Sequence, residues 1–529
     1  MAKAEICKFD LDETLDNEIK FGKYQLIIFG LIAFPIALNG IFSNAYIFTA
    51  GNLNYRCEIP ECDLQENREF FTPWLNLSTP FVSNLPEKCK KFQYVSNESS
   101  SCNVESFNRS VIIGCESFVY EDDEITIQNQ FDLTCNNEYQ LSLIGTINNI
   151  GQLFCYIFTG FISDRYGRKI VVILGCLGNG IFGVLRAFSF NYYQFASFEF
   201  LDALFGSATY AAAYIIGLEL VTPRLRTISG TILNCFYALG GIYLGLIAMW
   251  FRSYKILLLI TYVPSFVVLA YIYLLPQSVR WLLSKGKHEE AKKILSKACK
   301  FNGTEMNVQT LSLLNEKIEM QKSQDTNGNL ANDSEWMKKI SLKIVMQIAN
   351  LAYCWFAVIF VYYGLNLNSV YLEYWNKHVN FIFVCAIELP GYFITNFLME
   401  KLGRKKTLFI GMMGSGMSCI LAELIPGDIY KTIFYVCGKL LITIAFSCLY
   451  IFTIEVFPTT LRHRFFSICN IVGRIGSILT PLTPLLIEIS PSLPLLLFAL
   501  LSFSSAVFLC YLPETLNRKL PENIEEAFN

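Results

Sequence analysis

Long apolar runs alternate with shorter polar segments over most of this chain. About 20 apolar residues in helical conformation are enough to cross a bilayer, and twelve runs of roughly this length can be counted. The pattern predicts an all-α polytopic membrane protein with twelve transmembrane helices in two six-helix halves. The predicted segments are a tail at 1–23, helix 1 at 24–50, a polar loop at 51–138, helices 2 to 6 at 139–275, a polar linker at 276–340, helices 7 to 12 at 341–512 and a tail at 513–529.

Composition supports this class and excludes others. Of the 529 residues, 53% are hydrophobic and only 16% are charged, whereas soluble domains are nearer a quarter charged. The net charge is −2 without a basic tail, so a nucleic-acid partner is not expected. The three histidines form no metal-ligand pair, and no G-x-S-x-G or phosphate-loop motif is present. We expect no cofactor, no metal and no enzymatic activity, and the pattern carries no signal for an oligomeric state.

Basic residues fix the orientation of the spans. Twelve spans place four basic loops on one side, and by the positive-inside rule that side is cytoplasmic, together with both termini and the 276–340 linker. The four loops are "DRYGRK" (164–169), "PRLR" (223–226), "EKLGRKK" (400–406) and "RHR" (462–464).

The 51–138 loop is then extracellular, and its residues agree with that location. It contains six of the 18 cysteines, Cys57, Cys62, Cys89, Cys102, Cys115 and Cys135. We expect oxidised bridges in this compartment, although six cysteines allow many pairings and free cysteines in an unstructured loop are the alternative. Three N-x-S/T sequons in the loop predict glycans at Asn76, Asn97 and Asn108. Two more, at Asn302 and Asn332, lie on the predicted cytoplasmic side and should carry none.

Charged residues repeat along the chain at a constant spacing. Subtracting positions gives 236 for each of four pairs, which are Asp164 and Glu400, Arg168 and Arg404, Glu219 and Glu455, and Arg226 and Arg462. Four matches in the same order indicate two halves related by duplication, an architecture in which the halves rock about a site near the bilayer midplane.

These repeated charges are candidates for a cytoplasmic gate. Glu219 and Glu455 would accept ion pairs from basic residues of neighbouring loops, between halves or bundles, and so close the inner mouth. The alternative is that the same charges only set the topology and extend to the membrane surface. The candidate gate residues are Asp164, Arg165, Arg168, Glu219, Arg226, Glu400, Arg404, Glu455 and Arg462.

Five ionisable residues fall inside predicted spans. Arg474 stands near the middle of "NIVGRIGSILTP", where an arginine costs about 2.5 to 3.5 kcal/mol on insertion scales. Glu199 and Asp202 are three residues apart and therefore share one helix face, and Glu388 and Lys439 lie in the second half. Either Arg474 pairs permanently with Glu388 or another carboxylate, or it binds a substrate carboxylate through its guanidinium fork.

Several segments resemble the solute carrier 22 family of organic cation, anion and zwitterion transporters within the major facilitator superfamily. They are "GFISDRYGRK", "NNEYQLSLIGTINNIGQ", "LLPQSVRWLLSKGKHEEAKKIL", "VYYGLNL", "EVFPTTLR" and "LPETLNRKLPENIEEAF", and they extend over nearly the whole chain. The six-cysteine loop after helix 1 is similar as well. The resemblance implies the major facilitator fold and alternating-access transport of small organic ions across the plasma membrane.

Departures from the family pattern bear on the substrate. The resemblance implies an aspartate at the Arg474 position in cation carriers and an arginine in the anion and carnitine branches. A lysine that the anion branch tends to carry in helix 8 is replaced here by Tyr392. In helix 4 the family usually has a sequence similar to "FRLLQG", whereas this chain has "FEFLDA" with Glu199 and Asp202.

We expect a zwitterionic or anionic solute with its carboxylate on Arg474. Acidic residues (Glu199, Asp202 or Glu388) would take any positive charge, and aromatic rings would hold the rest by cation–π or apolar contact. The resemblance places Tyr210, Trp355, Tyr362 and Tyr363 in the cavity wall; ordinary helix packing is the alternative. An organic cation carrier and a non-transporting solute sensor remain as alternative functions.

Overall fold

Apolar helices form the body of the protein in the computed structural model, which describes residues 11–63, 69–82, 85–95, 102–103, 106–305, 307, 310, 342–457 and 462–516. Eleven helices in this part of the chain are long and apolar enough to cross a membrane. They are α1 (Lys23–Thr49), α2 (Cys135–Tyr166), α3 (Arg168–Ala187), α4 (Tyr192–Glu219), α5 (Arg224–Trp250), α6 (Tyr254–Leu274), α7 (Val345–Tyr371), α8 (Lys377–Leu402), α9 (Arg404–Leu424), α10 (Asp428–Val456) and α11 (Phe465–Ile487). The shorter apolar helix α12 (Leu493–Leu509) completes the predicted twelve.

Local breaks interrupt some of these helices. In α8 the helical segments are Lys377–Ala386 and Glu388–Leu402. Pro390 explains this break, because it lacks an N–H and its ring clashes with the carbonyl group four residues earlier. Glu388 thus begins the second segment. In α11, a 3₁₀ turn at Thr480–Leu482 separates two helical segments.

The two halves share an unusual backbone geometry. Gly167 precedes α3 and Gly403 precedes α9, with φ angles of 92° and 93°, in the region that favours glycine. A Cβ atom at Gly167 would lie 2.2 Å from Nε2 of Gln277, and one at Gly403 would lie 2.7 Å from Oε2 of Glu514. The two glycines are again 236 positions apart, which supports the duplication inferred from the charges.

Each half has its own apolar core, a third apolar cluster contains residues of both halves, and close contacts between the halves include those of α2 with α11 and of α5 with α8. Between α2 and α11, the Thr146 hydroxyl donates to the Ile478 carbonyl at 3.1 Å. Between α5 and α8, the Asn396 amide donates to the Thr231 hydroxyl at 2.5 Å, and a Cβ on Gly245 would lie 2.6 Å from Ile382. The contact between α2 and α11 sets these two helices face to face, and the candidate site lies between them.

The 51–138 loop contains short antiparallel strands tied by disulfides. The strands are β1 (Tyr55–Cys57), β2 (Phe81–Val82), β3 (Leu85–Pro86), β4 (Lys90–Tyr94), β5 (Phe107–Gly114) and β6 (Phe118–Tyr120), paired β1 with β6, β2 with β3 and β4 with β5. The bridges are Cys57–Cys115, Cys62–Cys102 and Cys89–Cys135. The expected oxidised bridges are confirmed, and the structure supplies the pairing that the sequence left open.

On the opposite side, the N-terminal segment packs on the linker. Leu15 and Ile19 are buried against the helix His288–Asn302 and its surroundings. Asn302 ends that helix, and its side chain accepts a hydrogen bond from the Tyr24 backbone N–H at 2.9 Å. Its amide nitrogen donates to the Ile19 carbonyl at 3.1 Å. The nitrogen that a glycan would need is therefore occupied.

Glycan mapping tests the predicted topology. We expect glycan at Asn76 and Asn108, which lie in the disulfide-bonded loop, and none at Asn302, whose amide holds the N-terminal segment. Replacing Asn76, Asn97 and Asn108 together by glutamine should abolish the mobility shift that a glycosidase produces, whereas Asn302→Gln should leave it unchanged. A shift that persists in the triple variant would contradict the topology. Asn97 and Asn332, the second sequon predicted to be cytoplasmic, lie outside the described residues.

Candidate substrate site

Arg474 lies between the two halves. Its side chain is buried, and its Nη1 donates a hydrogen bond to Oε1 of Gln152 on α2 at 3.1 Å. The guanidinium carbon stands 4.5 Å from the centre of the Tyr156 ring, and the Tyr363 hydroxyl is a further hydrogen-bonding neighbour. Its Nε has no hydrogen-bond partner among the described residues. The neighbours are amides and phenols, and within the described part of the chain no carboxylate forms an ion pair with Arg474.

Glu199 and Asp202 are engaged elsewhere. Arg186, near the end of α3, forms an ion pair with Glu199 and approaches Asp202 at 3.2 Å between Nη2 and Oδ2. The Tyr262 hydroxyl also donates to Asp202, at 2.8 Å. All three charged side chains are essentially inaccessible, at 0 to 1% exposure. Asp202 also lines a small cavity beside Asn148 and Gln152, but both carboxylates are held by Arg186 inside the first half, and we leave them out of the proposed substrate contacts.

Glu388 also has a resident partner. Lys439 on α10 lies 2.8 Å from its Oε1, and the Tyr392 hydroxyl donates to its Oε2 at 2.9 Å. The Lys439 ammonium stands 3.3 Å from the centre of the Tyr362 ring. The structure thus contradicts the alternative that Arg474 pairs permanently with Glu388, because Lys439 takes that role.

Aromatic side chains surround the second-half side of this region. Trp355 is fully buried, its indole N–H donates to the Thr453 hydroxyl at 2.8 Å, and its ring meets Tyr450 edge-on at 4.7 Å. Tyr362 stacks on Phe446 at 4.4 Å and meets Tyr363 edge-on at 5.2 Å. Of the predicted cavity residues in α7, Tyr363 is the one that reaches Arg474.

The first half contributes a second aromatic group. Tyr210 on α4 is half-buried and donates from its hydroxyl to Oδ1 of Asn234 at 2.6 Å. Its ring stacks on Tyr214 at 5.7 Å and meets Tyr237 edge-on at 5.5 Å. Tyr210 also interacts electrostatically with Tyr363 and Tyr450 of the second half, so the two aromatic groups approach each other where the halves meet.

The candidate gate residues form ion pairs within each half. Arg168 lies 3.9 Å from Glu219 in the first half, and Arg404 lies 3.0 Å from Glu455 in the second. Each pair joins the start of one helix to the end of the next helix in the chain. The pairs are therefore placed to stiffen each half, and a gating role stays a prediction.

The remaining gate candidates lie around these pairs. Asp164, Arg165 and Glu400 are exposed, and Arg226 is half-buried, whereas the side chain of Arg462 lies outside the described part. Glu514 accepts from the backbone N–H groups that begin α9, among them Arg404 N at 2.9 Å. Burial works to raise the pKa of Glu514, but these N–H bonds lower it below the usual value. The carboxylate therefore stays ionised beside the first turn of α9.

At the end of the helices where the disulfide-bonded loop lies, this loop contacts the second half. Glu124 pairs with Lys377 at the start of α8, and His378 Nε2 lies 2.9 Å from Glu124 Oε1. Burial works to raise the pKa of Glu124, but the bonds from His378 and Lys377 lower it below the usual value. A lowered pKa means that the stabilisation is present above the ordinary carboxyl pKa of about 4.3. It is lost as the pH falls through the folded-state value.

Comparisons with known proteins agree with this architecture. The family model described as "Sugar (and other) transporter" matches residues 81–528. Solute carrier family 22 member 3 of Mus musculus is 30% identical, over 98% of this chain and 95% of the relative. Organic cation/carnitine transporter 2 of Mus musculus is 27% identical, over 98% and 94%. The inward-open xylose transporter XylE from E. coli has a TM-score of 0.63 at 16% identity, covering 95% of this chain and 99% of that one.

The fold is that of a major facilitator transporter, with two six-helix halves and a buried charge between them. The chain belongs to solute carrier family 22. This agrees with the resemblance of its sequence motifs to that family. It is a multi-pass membrane protein that transports small organic ions, and it is not an enzyme.

Sequence reasoning missed Arg186, Gln152 and Asn148. Arg186 stands one residue before the end of α3, where an arginine is ordinarily taken to reach the membrane surface. A signal was present, because two buried carboxylates on one face of α4 require a cation nearby. The two amides on α2 lie in "INNIGQ", a segment quoted only for its resemblance.

Proposed function

We propose that this protein carries solutes with a carboxylate group, either anions or zwitterions, across the plasma membrane by alternating access. One observation supports this most directly. Arg474 is a buried cation without a carboxylate partner among the described residues, whereas Glu199 and Asp202 share Arg186 and Glu388 has Lys439.

Chemistry favours a carboxylate at this position. Arginine keeps its charge inside a membrane and presents several N–H donors in a planar fork that matches two carboxylate oxygens. In the structure, one donor is given to the neutral amide of Gln152, and Nε has no acceptor in the described part of the chain. A solute carboxylate would supply charge and acceptors together.

The aromatic residues suit the part of the solute beyond its carboxylate. Tyr363 and Tyr156 lie beside Arg474, and Trp355 and Tyr362 from one half and Tyr210 from the other belong to the aromatic groups around them. Such rings accept apolar groups or a quaternary ammonium, the latter by about 0.5 to 2 kcal/mol for each cation–π contact. An aromatic acid or a carnitine-like zwitterion fits this combination. Every buried carboxylate of the described spans already has a basic partner, so a simple organic cation would find no free counter-charge there.

A solute panel tests the proposal. Cells expressing the protein are given labelled p-aminohippurate as an anion, carnitine as a zwitterion and tetraethylammonium as a cation. We expect uptake of the anion or the zwitterion, and competition by unlabelled p-aminohippurate but not by its methyl ester, which removes the charge while keeping the shape. Uptake confined to tetraethylammonium would contradict the proposal. Binding of the anion without flux would instead indicate a solute sensor.

A further inference from the structure

A row of side-chain amides joins Arg474 to the buried charges of the first half. Arg474 donates to Gln152 at 3.1 Å, Gln152 Nε2 donates to Asn148 Oδ1 at 2.8 Å, and Asn148 Nδ2 donates to Glu199 Oε1 at 2.6 Å. Gln152 and Asn148 are four residues apart and so share one face of α2. Both are buried, at 7% and 2% exposure. The row is continuous from α11 through α2 to α4.

Every bond in this amide row points the same way. Each amide turns its carbonyl oxygen toward Arg474 and its N–H group toward Glu199. Aligned bonds of this kind strengthen one another in a medium of low dielectric constant. Arg186 faces two carboxylates, Glu199 and Asp202, so that cluster holds one formal negative charge in excess. Through the amide row, the excess negative charge of that cluster, which lies two side chains away, partly compensates the positive charge of Arg474.

The bond from Arg474 to Gln152 is also a bond between the halves. Gln152 belongs to α2 in the first half and Arg474 to α11 in the second. Alternating access requires the halves to rock about the central site, so a bond that crosses between them there is sensitive to both occupancy and motion. The remaining two bonds of the row lie within the first half and anchor the Gln152 amide in place.

We propose that Gln152 is a positioning residue that holds Arg474 in the empty carrier and releases it to the substrate carboxylate. This rests on the proposed function, since it requires that the solute bind Arg474. An empty carrier then returns across the membrane with Arg474 bonded to Gln152, and a loaded carrier crosses with Arg474 bonded to the solute. In both states the buried arginine has an acceptor, and the inter-half bond to Gln152 is present only without substrate.

The Gln152→Leu variant distinguishes the return of the empty carrier from the crossing of the loaded carrier. Net uptake into solute-free cells needs the empty carrier to return, whereas exchange against internal solute does not. With p-aminohippurate or carnitine, whichever the wild type carries, we expect net uptake to fall about tenfold, which corresponds to loss of a hydrogen bond to a charged group. Exchange should stay within about twofold of wild type, because the loaded carrier does not use this hydrogen bond. The KM for the solute should not rise. An equal fall of both modes would overturn the proposal.

Two further variants sharpen the test. Gln152→Glu places a fixed carboxylate on Arg474, and we expect it to remove both net uptake and exchange because the solute must displace a charged partner. Asn149→Leu is the matched control. Asn149 is buried beside Asn148, but its amide donates to the Gly145 carbonyl of its own helix at 2.8 Å. Its loss should change both modes by the same factor, and a selective loss of net uptake there would count against a special role for Gln152.

Failure of this proposal and failure of the proposed function give different results. If Arg474 does not bind the solute, carboxylate uptake will be insensitive to Arg474→Asp. If only the positioning role is wrong, Arg474→Asp will abolish uptake while Gln152→Leu leaves the ratio of exchange to net uptake at the wild-type value.

Discussion

Replacing Arg474 by aspartate is expected to abolish uptake of carboxylate solutes, by about thirtyfold or more, while leaving the protein at the cell surface. Removing one partner of a buried, hydrogen-bonded charge pair costs about 2 to 5 kcal/mol, and every 1.4 kcal/mol corresponds to about tenfold. Aspartate adds repulsion to this loss. The measurement is initial uptake of p-aminohippurate and carnitine, normalised to surface protein.

Two companion variants separate charge from shape. Arg474→Lys keeps the positive charge but loses the planar fork, so we expect uptake between wild type and Arg474→Asp. Arg474→Gln removes the charge without introducing repulsion and should behave like the aspartate variant toward anions. Uptake that Arg474→Asp leaves unchanged would show that the arginine has a structural role. Gain of tetraethylammonium uptake in Arg474→Asp would give the strongest support to its role as a counter-charge.

Replacing Arg186 by leucine is expected to remove most of the protein from the cell surface. Glu199 and Asp202 are 0% and 1% exposed and share this one cation. Breaking a buried ion pair by removing one partner costs about 3 to 5 kcal/mol, because it leaves an uncompensated buried charge. That is a large part of the 5 to 15 kcal/mol that separates typical folded and unfolded proteins, on the order of a third. Surface labelling and thermal unfolding in detergent measure the effect.

The control for Arg186 is a variant without any of these charges. Combining Arg186→Leu with Glu199→Gln and Asp202→Asn leaves neutral side chains of similar size in the same positions. A buried ionic cluster can often be replaced by neutral groups at little cost, so we expect surface expression to recover. Wild-type surface levels for Arg186→Leu alone would mean that the cluster is not needed for folding.

The membrane spans and their number could be predicted because the bilayer imposes a length on every apolar run, and the duplicated charges could be found from their constant spacing. Which charged side chain pairs with which could not be predicted. Glu388 and Lys439 were both singled out, yet their pairing depends on how α8 packs against α10, and nothing in the sequence separates it from a pair between Glu388 and Arg474. The same holds for the disulfide pairing and for the gate charges, whose positions were predicted but which pair inside each half.

The buried charges of the spans are balanced, and this affects how the membrane potential acts on the carrier. Apart from His378 at the start of α8, the described buried acidic and basic side chains of the spans are Arg186, Lys439, Arg474, Glu199, Asp202 and Glu388, which sum to no formal charge. An empty carrier then crosses with no net fixed charge in its core, and a carrier loaded with a monoanion crosses with one negative charge.

A cell interior at negative voltage opposes the inward movement of that charge by about 2.3 kcal/mol per 100 mV. A zwitterion adds no net charge and meets no such opposition, and one anion exchanged for another moves none. For a carrier of the proposed specificity, the electrical balance of the core therefore favours zwitterion uptake and anion exchange over the unaided entry of anions.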